Sequence, residues 1–308
     1  MRFGDRRTSD NVESQRGQNF GGGGFGGGGG GLGAGAGMLI SLVASRFGIG
    51  GIIVLVAIFL IFGGGLGDIF GTGGQRAVGP QPTQQQQQGA QAGGNVCQSD
   101  PATRFACQVL GSTEDRWTEI FRENGRQYQP PKMVVYSRAG RSGCGAADSA
   151  MGPFYCPADQ GIYLDTEFFR ELAQRFRAPG DFAQAYVIAH EVGHHIQTIT
   201  GTAGRIRQAQ QAVSQARGNA LQVRMELQAD CYAGVWAARE RVALEPGDME
   251  EGMTAAAAIG DDTLQRAAQG TVVPETFTHG TSAQRQEALM RGFNGGNPAA
   301  CDTYMQGV

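Results

Sequence analysis

Hydrophobic spacing divides the chain into an N-terminal part without regular periodicity and a C-terminal part with predicted helices and strands. Apolar residues at helical intervals predict helices at residues 114–124, 166–176, 182–200 and 219–242, and a polar helical stretch covers residues 206–217. Short apolar runs predict strands at Met133–Tyr136 and Gly161–Asp165. Asp181, followed three residues later by Gln184, is the predicted N-cap of the third helix. The pattern predicts an α+β fold, mainly helical with a small sheet.

One apolar stretch in the N-terminal part is long enough to span a membrane. Residues 47–67 are 21 consecutive uncharged residues, and about 20 residues of helix cross the hydrocarbon core of a bilayer. We predict a single transmembrane helix here. A cleaved signal peptide is the alternative, although the stretch begins late and lacks a clear small-x-small cleavage site.

The distribution of basic residues predicts the orientation of this helix. Five arginines precede the stretch and no Lys or Arg follows it until Arg76; the five are Arg2, Arg6, Arg7, Arg16 and Arg46. The positive-inside rule then places the N-terminus in the cytoplasm. The expected protein is a single-pass protein of the inner (cytoplasmic) membrane, with its C-terminal domain outside the cytoplasm.

Composition predicts four segments. Residues 1–46 are a Gly-rich cytoplasmic tail, 47–67 the transmembrane helix, 68–96 a linker rich in Gln and Gly, and 97–308 the folded domain. Within the tail, 13 of the 17 residues from Gly21 to Gly37 are Gly, too few apolar side chains for a packed core. The net charge of −3 and the scattered arginines give no basic field, so nucleic acid is not a predicted partner.

Cysteine positions test the predicted orientation independently. All six cysteines follow the apolar stretch, which is typical of a domain in an oxidising compartment. We predict the pairs Cys97–Cys107, Cys144–Cys156 and Cys231–Cys301, the first two closing short loops, although the sequence leaves other pairings and six free thiols open. A zinc ribbon is disfavoured because no C-x-x-C pair occurs.

The helix predicted at residues 182–200 carries the sequence His190-Glu191-Val192-Gly193-His194. At about 100° per residue, the two histidines lie about 40° apart and one turn from each other, so both imidazoles can bind one ion. Glu191 faces the same groove and is the candidate general base. A buried histidine pair without metal is the alternative, but two imidazoles and a carboxylate in an apolar stripe would be costly. His195 lies about 140° from His190 around the helix, on the wrong face for the same ion.

The helix predicted at residues 219–242 supplies the remaining groups. Glu226 and Asp230 are four residues apart and share one helix face. Glu226 can therefore be a third ligand, while Asp230 accepts the other N–H of a ligand histidine. A solvated helix face is the alternative, but the neighbouring Met225 and Trp236 favour burial. Two histidines, one carboxylate and an open position are typical of catalytic zinc, so Zn²⁺ is the predicted cofactor.

These motifs resemble those of the gluzincin metallopeptidases, and the sequence around them is similar to the neutral zinc metallopeptidase (YpfJ-like) family of bacteria. The similar segments are His190–Gln197, Glu226–Gly234, Met1–Arg7, Gly152–Asp159 and Thr278–Ser282. The resemblance implies a zincin-like metallopeptidase domain that hydrolyses peptide bonds.

The resemblance also implies roles for two flanking segments. In gluzincins a strand ahead of the motif helix lies at the sheet edge and pairs with extended substrate, and Gly161–Asp165 is similarly placed; an ordinary interior strand is the alternative. His279, followed by Arg285, looks like the threonine–histidine segment of membrane-associated gluzincins, where the histidine stabilises the oxyanion. A surface histidine is the alternative for His279, and Tyr155 and Tyr163 are weaker candidates for the same role.

The predicted function is therefore a membrane-anchored zinc peptidase acting on a peptide or protein substrate. His190, His194 and Glu226 would hold the metal, and Glu191 would act as general base and then as proton donor. The competing class is a non-catalytic, membrane-anchored module with structural zinc, which needs a fourth protein ligand such as His279 or a cysteine. An interaction scaffold would explain the Gly- and Gln-rich segments but not the metal-site motif. The oligomeric state is not predicted.

Overall fold

The computed structural model describes residues 1–18 and 96–308, which are mostly helical with two small sheets. The α-helices of this part are α1 (Pro101–Glu123), α2 (Glu167–Gln174), α3 (Asp181–Ile199), α4 (Thr202–Gln211), α5 (Gln215–Arg239), α6 (Asp248–Ala258), α7 (Asp261–Gln269) and α8 (Ser282–Gly295). The strands are β1 (Val12–Ser14), β2 (Lys132–Tyr136), β3 (Ala139–Ser142), β4 (Gly145–Asp148), β5 (Phe154–Cys156) and β6 (Gly161–Asp165). Short 3₁₀ helices occur at Ser149–Met151, Pro274–Thr276 and Pro298–Met305.

The larger sheet has the strand order β1-β2-β6-β5. Strands β1, β2 and β6 are parallel, whereas β5 is antiparallel to β6. Strands β2 and β5 pair with the two edges of β6, and all five residues of β6 are buried. The interpretation of Gly161–Asp165 as an edge strand is therefore wrong, and the interior alternative holds. Strand β5 occupies the edge and packs against α3.

The helical part is organised around α5, which packs along both α3 and α8. Its contact with α8 is close because a glycine stands on each helix at the contact: a Cβ atom at Gly234 would overlap the carbonyl of Leu289, and one at Gly292 would overlap that of Cys231. Trp236 of α5 is fully buried and stacks on Phe182 of α3, with ring centroids 6.2 Å apart. The two metal-site helices are thereby held in one core.

Several predicted helix starts differ from the structure, and α4 and α5 each begin four residues before the predicted start. Helix α1 begins at Pro101 and not at residue 114, because the Asp100 side chain caps the backbone N–H of Thr103 and proline suits the first turn. Asp181 is the first residue of α3 and not its N-cap; Gly180 holds that position, and no side chain caps this end. The strands at Met133–Tyr136 and Gly161–Asp165 are confirmed within one residue.

The three predicted disulfides are confirmed as Cys97–Cys107, Cys144–Cys156 and Cys231–Cys301. Cys156 ends strand β5, and its bond to Cys144 ties the β3–β4 hairpin to the edge of the main sheet. Cys231 follows Asp230 directly, so its bond to Cys301 fixes the C-terminal residues against α5. Two of the three disulfides therefore lie next to predicted site segments.

The first 18 residues are part of the domain. Val12 pairs with Met133 in the main sheet and is 1% exposed. The carboxylate of Glu114 in α1 accepts hydrogen bonds from Ser9 (2.6 Å) and from the Asn11 side chain (2.8 Å). The segment therefore supplies an edge strand and polar contacts to the core.

Three of the five arginines counted as a topology signal serve this packing. Arg6 bonds Glu240, the residue after α5, at 2.5 Å, Arg7 bonds Asp115 at 2.6 Å, and Arg16 bonds Asp100 at 2.7 Å. Residues 1–18 and 96–308 thus form one packed body and share one side of any membrane, whereas the prediction placed them on opposite sides.

The transmembrane part of the predicted fold class and the predicted membrane location are corrected by the structure. No helix within residues 1–18 and 96–308 is long and apolar enough to cross a membrane. The predicted transmembrane helix, residues 47–67, lies outside the described residues. The structure therefore does not support a domain that follows one N-terminal transmembrane helix. The predictions of that fold class and of single-pass inner-membrane localisation are wrong. The boundaries predicted after residues 46 and 67 lie outside the described residues and stay predictions.

Candidate metal centre

The candidate site lies where α3 and α5 cross. At the crossing, a Cβ atom on Gly193 would lie 2.9 Å from both the Cα and the carbonyl oxygen of Ala229. Contacts of that length are too short for a real side chain, so glycine is required within the His190–His194 motif for the helices to approach. This close approach brings the side chains of both helices to one point.

The structure brings together the three predicted ligands, His190, His194 and Glu226. The Nε2 atom of His190 lies 3.2 Å from Glu226 Oε2, and that of His194 lies 3.5 Å from the same oxygen. Ligands placed tetrahedrally about 2.0–2.1 Å from a zinc ion are roughly 3.3 Å from one another. Two imidazole nitrogens and one carboxylate oxygen are also donors that zinc prefers. The donor set thus fits zinc in both chemistry and spacing.

The opposite ring nitrogens of both histidines are held by hydrogen-bond acceptors. His190 Nδ1 lies 2.8 Å from Asp230 Oδ1, as predicted for that carboxylate, and His194 Nδ1 lies 2.9 Å from Gln197 Oε1. With the Nδ1 atoms as donors, both Nε2 atoms keep a free lone pair for an ion. Gln197 is itself fixed by donating to the Met225 carbonyl at 2.7 Å.

Asp230 is the centre of a buried polar network. Besides His190, it accepts bonds from the hydroxyl of Tyr186 (2.5 Å) and from Arg285, whose Nε lies 2.8 Å from Oδ2 and whose Nη2 lies 2.9 Å from Oδ1. Burial raises the pKa of Asp230, but the charge of Arg285 and the His190 contact outweigh it and bring the pKa to about 2. Asp230 therefore remains an anion that orients His190.

Glu226 uses its two oxygens differently. Oε1 accepts a bond from Gln222 at 2.9 Å, one helical turn earlier on α5, while Oε2 faces the two histidines. Gln222 thereby fixes the rotation of the carboxylate so that one oxygen is aimed at the cluster.

Glu191 is buried beside the cluster and lines the same cavity as the candidate ligands. Burial raises the pKa of its carboxyl above the usual range, an effect that His190 and His194 partly oppose. The backbone of Tyr155 in β5 also opposes the effect of burial on this pKa. The edge strand and the candidate base line the same cavity.

His279 lines the same cavity, with its side chain 16% exposed. Its Nδ1 atom is 3.2 Å from Asp261 Oδ1, at the start of α7. Burial lowers the pKa of His279, but the bond to Asp261 and the charge of Glu226 raise it overall above the ordinary histidine value. With Nδ1 turned to Asp261, the Nε2 edge of the ring is left for other partners.

His195, which the helix geometry excluded, and the two weaker candidates Tyr155 and Tyr163 all have partners outside the metal cluster. His195 is fully buried, with Nε2 2.7 Å from the Gln129 carbonyl and Nδ1 3.2 Å from the Tyr155 hydroxyl, so it stays outside the cluster. The Tyr163 hydroxyl donates to Asp159 at 2.6 Å. Neither tyrosine presents a free hydroxyl to the metal cluster.

Sequence reasoning did not assign roles to five residues that act on the site through neighbours: Tyr186, Gln197, Gln222, Asp261 and Arg285. Gln197 lies three residues after His194 and Gln222 four before Glu226, so the helical spacing that placed the ligands could have located both. Asp261 and Arg285 come from α7 and α8, and no local signal connects them to residues 190–230.

The fold and the cluster define a class of protein. A helix with His-Glu-x-x-His and a second helix with Glu-x-x-x-Asp, converging on one buried point beside a cavity, form a metallopeptidase-type site. The family model described as "Putative neutral zinc metallopeptidase" matches residues 1–304, and the chain belongs to this family.

Two related proteins are similar in sequence to this chain over long stretches. The chain is 47% identical over 313 residues to the uncharacterized protein YpfJ of Escherichia coli (strain K12), covering all of both chains. It is 42% identical over 217 residues to the uncharacterized protein Rv2575 of Mycobacterium tuberculosis (strain ATCC 25618 / H37Rv), covering 66% of this chain and 72% of that one. No solved structure matches the chain.

Proposed function

We propose that this protein is a zinc-dependent peptidase whose metal is held by His190, His194 and Glu226. The observation that carries the proposal is the convergence of both Nε2 atoms on Glu226 Oε2, at 3.2 and 3.5 Å, with both Nδ1 atoms held from behind. Such spacing is expected of ligands that share one ion.

When bound, zinc would polarise the scissile carbonyl and lower the pKa of water toward 7. Glu191 would take the proton from the attacking water and later deliver it to the leaving amine. Burial raises the pKa of Glu191, which makes its carboxylate a stronger base than that of a solvated glutamate.

His279 is the candidate group for stabilising the oxyanion. Asp261 accepts from Nδ1, so a protonated His279 would present Nε2–H toward the cavity. A hydrogen-bond donor aimed at the developing oxyanion stabilises the transition state and so accelerates the reaction.

Strand β5 is the candidate binding edge for the substrate backbone. It pairs with β6 on one side, and Phe154 and Tyr155 line the cavity. An extended peptide could add to this edge by backbone hydrogen bonds. This replaces the role predicted for Gly161–Asp165.

An open zinc position is favoured over a closed structural site. All six cysteines form disulfides, so none can be a ligand, and His195 points away. Within residues 1–18 and 96–308, the group around Glu226 that could hold a metal contains only the three proposed ligands. A fourth position would thus be left to water and substrate.

The direct test is hydrolysis by the full chain at defined metal content. We expect cleavage of an unfolded protein such as casein by the zinc-loaded form, loss of cleavage on chelation, and recovery with added zinc. A zinc-free protein that cleaves equally well, or a stoichiometrically loaded protein that cleaves no peptide, would contradict the proposal.

A further inference from the structure

The cavity beside the metal cluster is mostly apolar away from the cluster itself. It encloses about 260 Å³ and extends from β5 and α2 past α3 to α4 and α7. Half-buried apolar side chains that face it include Phe154, Phe176, Ile259 and Leu264. Apolar surface left accessible in a cavity favours an apolar ligand group, because its burial removes that surface from water.

Two of the lining residues are placed next to the proposed catalytic groups. Val187 lies four residues before Glu191 and therefore one turn away on the same face of α3. Leu264 lies three residues after Asp261, the partner of His279, on the same side of α7. The apolar lining therefore reaches the groups that would act on the scissile bond, so a side chain beside that bond would enter it.

The charged residues that line the cavity also limit which substrate groups it can bind. Among the described lining residues, the carboxylates are Glu191 and Glu226, both committed to the metal cluster. No further carboxylate of this part of the chain lines the cavity to pair with a substrate ammonium group. Burying an unpaired ammonium group is costly, so the cavity disfavours a free amino terminus beside the scissile bond.

One positive group lies outside the cluster. Arg207 of α4 lines the cavity and is exposed, whereas Arg285 is buried and bonded to Asp230. An exposed guanidinium in solvent contributes little to binding, so Arg207 does not by itself define a site for a terminal carboxylate.

We propose that the site is an endopeptidase site that takes the interior of an extended chain with a large apolar side chain next to the scissile bond. This inference rests on the proposed function and deepens it. Trimming of free amino termini and selection of charged side chains are both disfavoured by the same lining.

The test uses zinc-loaded full-length protein and peptides blocked by acetyl and amide groups, identical except for a central Phe-Leu, Asp-Asp or Lys-Lys pair. We expect kcat/KM for the Phe-Leu peptide to exceed that of both charged peptides by at least about 10-fold, since apolar pockets discriminate by roughly 10–200-fold. Leucyl aminomethylcoumarin, which has a free amino terminus, should be a poor substrate. Equal rates for the three peptides, or faster release from the free amino terminus, would overturn the inference.

A variant with a new charge in the lining tests whether this cavity causes the preference for apolar side chains. Leu264→Glu should lower kcat/KM for the Phe-Leu peptide by at least about 10-fold and raise it for the Lys-Lys peptide. Val242→Glu is the matched control, because Val242 is 88% exposed and does not line the cavity; its rates should equal those of the parent. Circular dichroism and thermal melts establish that both variants are folded. A folded Leu264→Glu protein with unchanged preference would contradict the assignment.

Binding separates this inference from the proposed activity. The zinc-loaded Glu191→Gln variant is titrated with the same three blocked peptides, and dissociation constants are measured by calorimetry. Tighter binding of the Phe-Leu peptide, without hydrolysis of any peptide by the parent, would support the apolar subsite while rejecting the peptidase. Equal binding of all three would reject the subsite whether or not hydrolysis occurs.

Discussion

His279 and Asp261 are linked through both oxygens of one carboxylate. Nδ1 of His279 lies 3.2 Å from Oδ1, and Oδ2 accepts the backbone N–H of His279 at 2.6 Å. The same Oδ2 also accepts the N–H groups of Thr278 and Gly280. Asp261 thus fixes both the loop that carries the imidazole and the ring orientation, although the two residues are 18 positions apart.

This pair gives the first prediction. His279→Ala should lower kcat by about 10²–10³-fold, the usual cost of losing one oxyanion donor, with zinc affinity unchanged. Asp261→Asn retains an oxygen for the loop but weakens the hold on Nδ1, so it should cause a smaller loss. The double variant should be no slower than His279→Ala alone, because Asp261 acts through His279. Steady-state kinetics with zinc titration check this, and additive losses would contradict it.

The second prediction concerns Glu191, which is proposed as a base and not as a ligand. Glu191→Gln keeps the size of the side chain but cannot take up the proton, so hydrolysis should fall by at least about 10²–10⁴-fold. Zinc content and melting temperature should match those of the parent. Glu171→Gln on α2 is the control, since it makes the same change outside the cavity lining. A Glu191→Gln protein that hydrolyses peptides normally would show the mechanism to be wrong.

The third prediction tests the N-terminal segment as part of the fold. Val12 is 1% exposed in β1 and pairs with Met133 of β2. Val12→Ala should lower the free energy of unfolding by roughly 2 kcal/mol, from about 0.8 kcal/mol per buried CH₂ and the cavity left behind. Glu13→Ala on the same strand removes a half-buried side chain and should change stability much less. Urea unfolding of the full chain measures both, and equal, near-zero effects would place residues 1–18 outside the cooperative unit.

The fourth prediction is a pH dependence at Asp100, which caps α1 and bonds Arg16. Burial raises the pKa of Asp100, but bonds from Thr103 and Arg16 outweigh it and hold the pKa well below the usual value. A lowered folded-state pKa contributes stability above the unfolded-state pKa near 3.8, and this is lost as the pH falls below it.

Asp100→Asn retains a capping oxygen without the charge. The parent should therefore be more stable than the variant at about pH 6, and the difference should shrink as the pH falls toward about 3. Chemical unfolding at several pH values measures it. A difference that does not change with pH would contradict the argument.

The local parts of the site could be predicted from sequence because helix periodicity fixes them. His190 and His194, and likewise Glu226 and Asp230, are four residues apart, and a helix places such residues on one face. That the two helices face each other depends on close packing at Gly193 and Ala229, which spacing does not show. Asp261 and Arg285 enter only through the tertiary arrangement of α7 and α8.

The sheet and the N-terminal segment illustrate what spacing cannot predict. Strand β5 has three residues, too short for a periodic pattern, so the resemblance to gluzincins placed the substrate edge on β6, the predicted strand ahead of the motif helix. The arginines near the N-terminus were interpreted by their charge alone. Their partners, such as Glu240 for Arg6, lie far away in sequence, and only the folded chain shows that these charges are paired.

The last prediction separates catalytic from structural zinc through Glu226 and Asp230, changed to their isosteric amides. Glu226→Gln removes the only proposed anionic ligand but can still accept the bond from Gln222. Its zinc affinity should fall far more than the roughly 10–100-fold expected for Asp230→Asn, which acts only through His190. Because Asp230 also pairs with buried Arg285, Asp230→Asn should lose more fold stability than Glu226→Gln. Affinity and stability should therefore rank the two variants in opposite orders.

Equilibrium zinc titrations and thermal melts of both variants and of the chelated parent decide the matter. We expect the chelated parent to remain folded, since a domain of this size has an apolar core of its own and an open site does not hold it together. A structural zinc site would give the reverse, with unfolding on chelation as in small zinc modules. Equal zinc affinities for Glu226→Gln and Asp230→Asn would remove Glu226 from the ligand set.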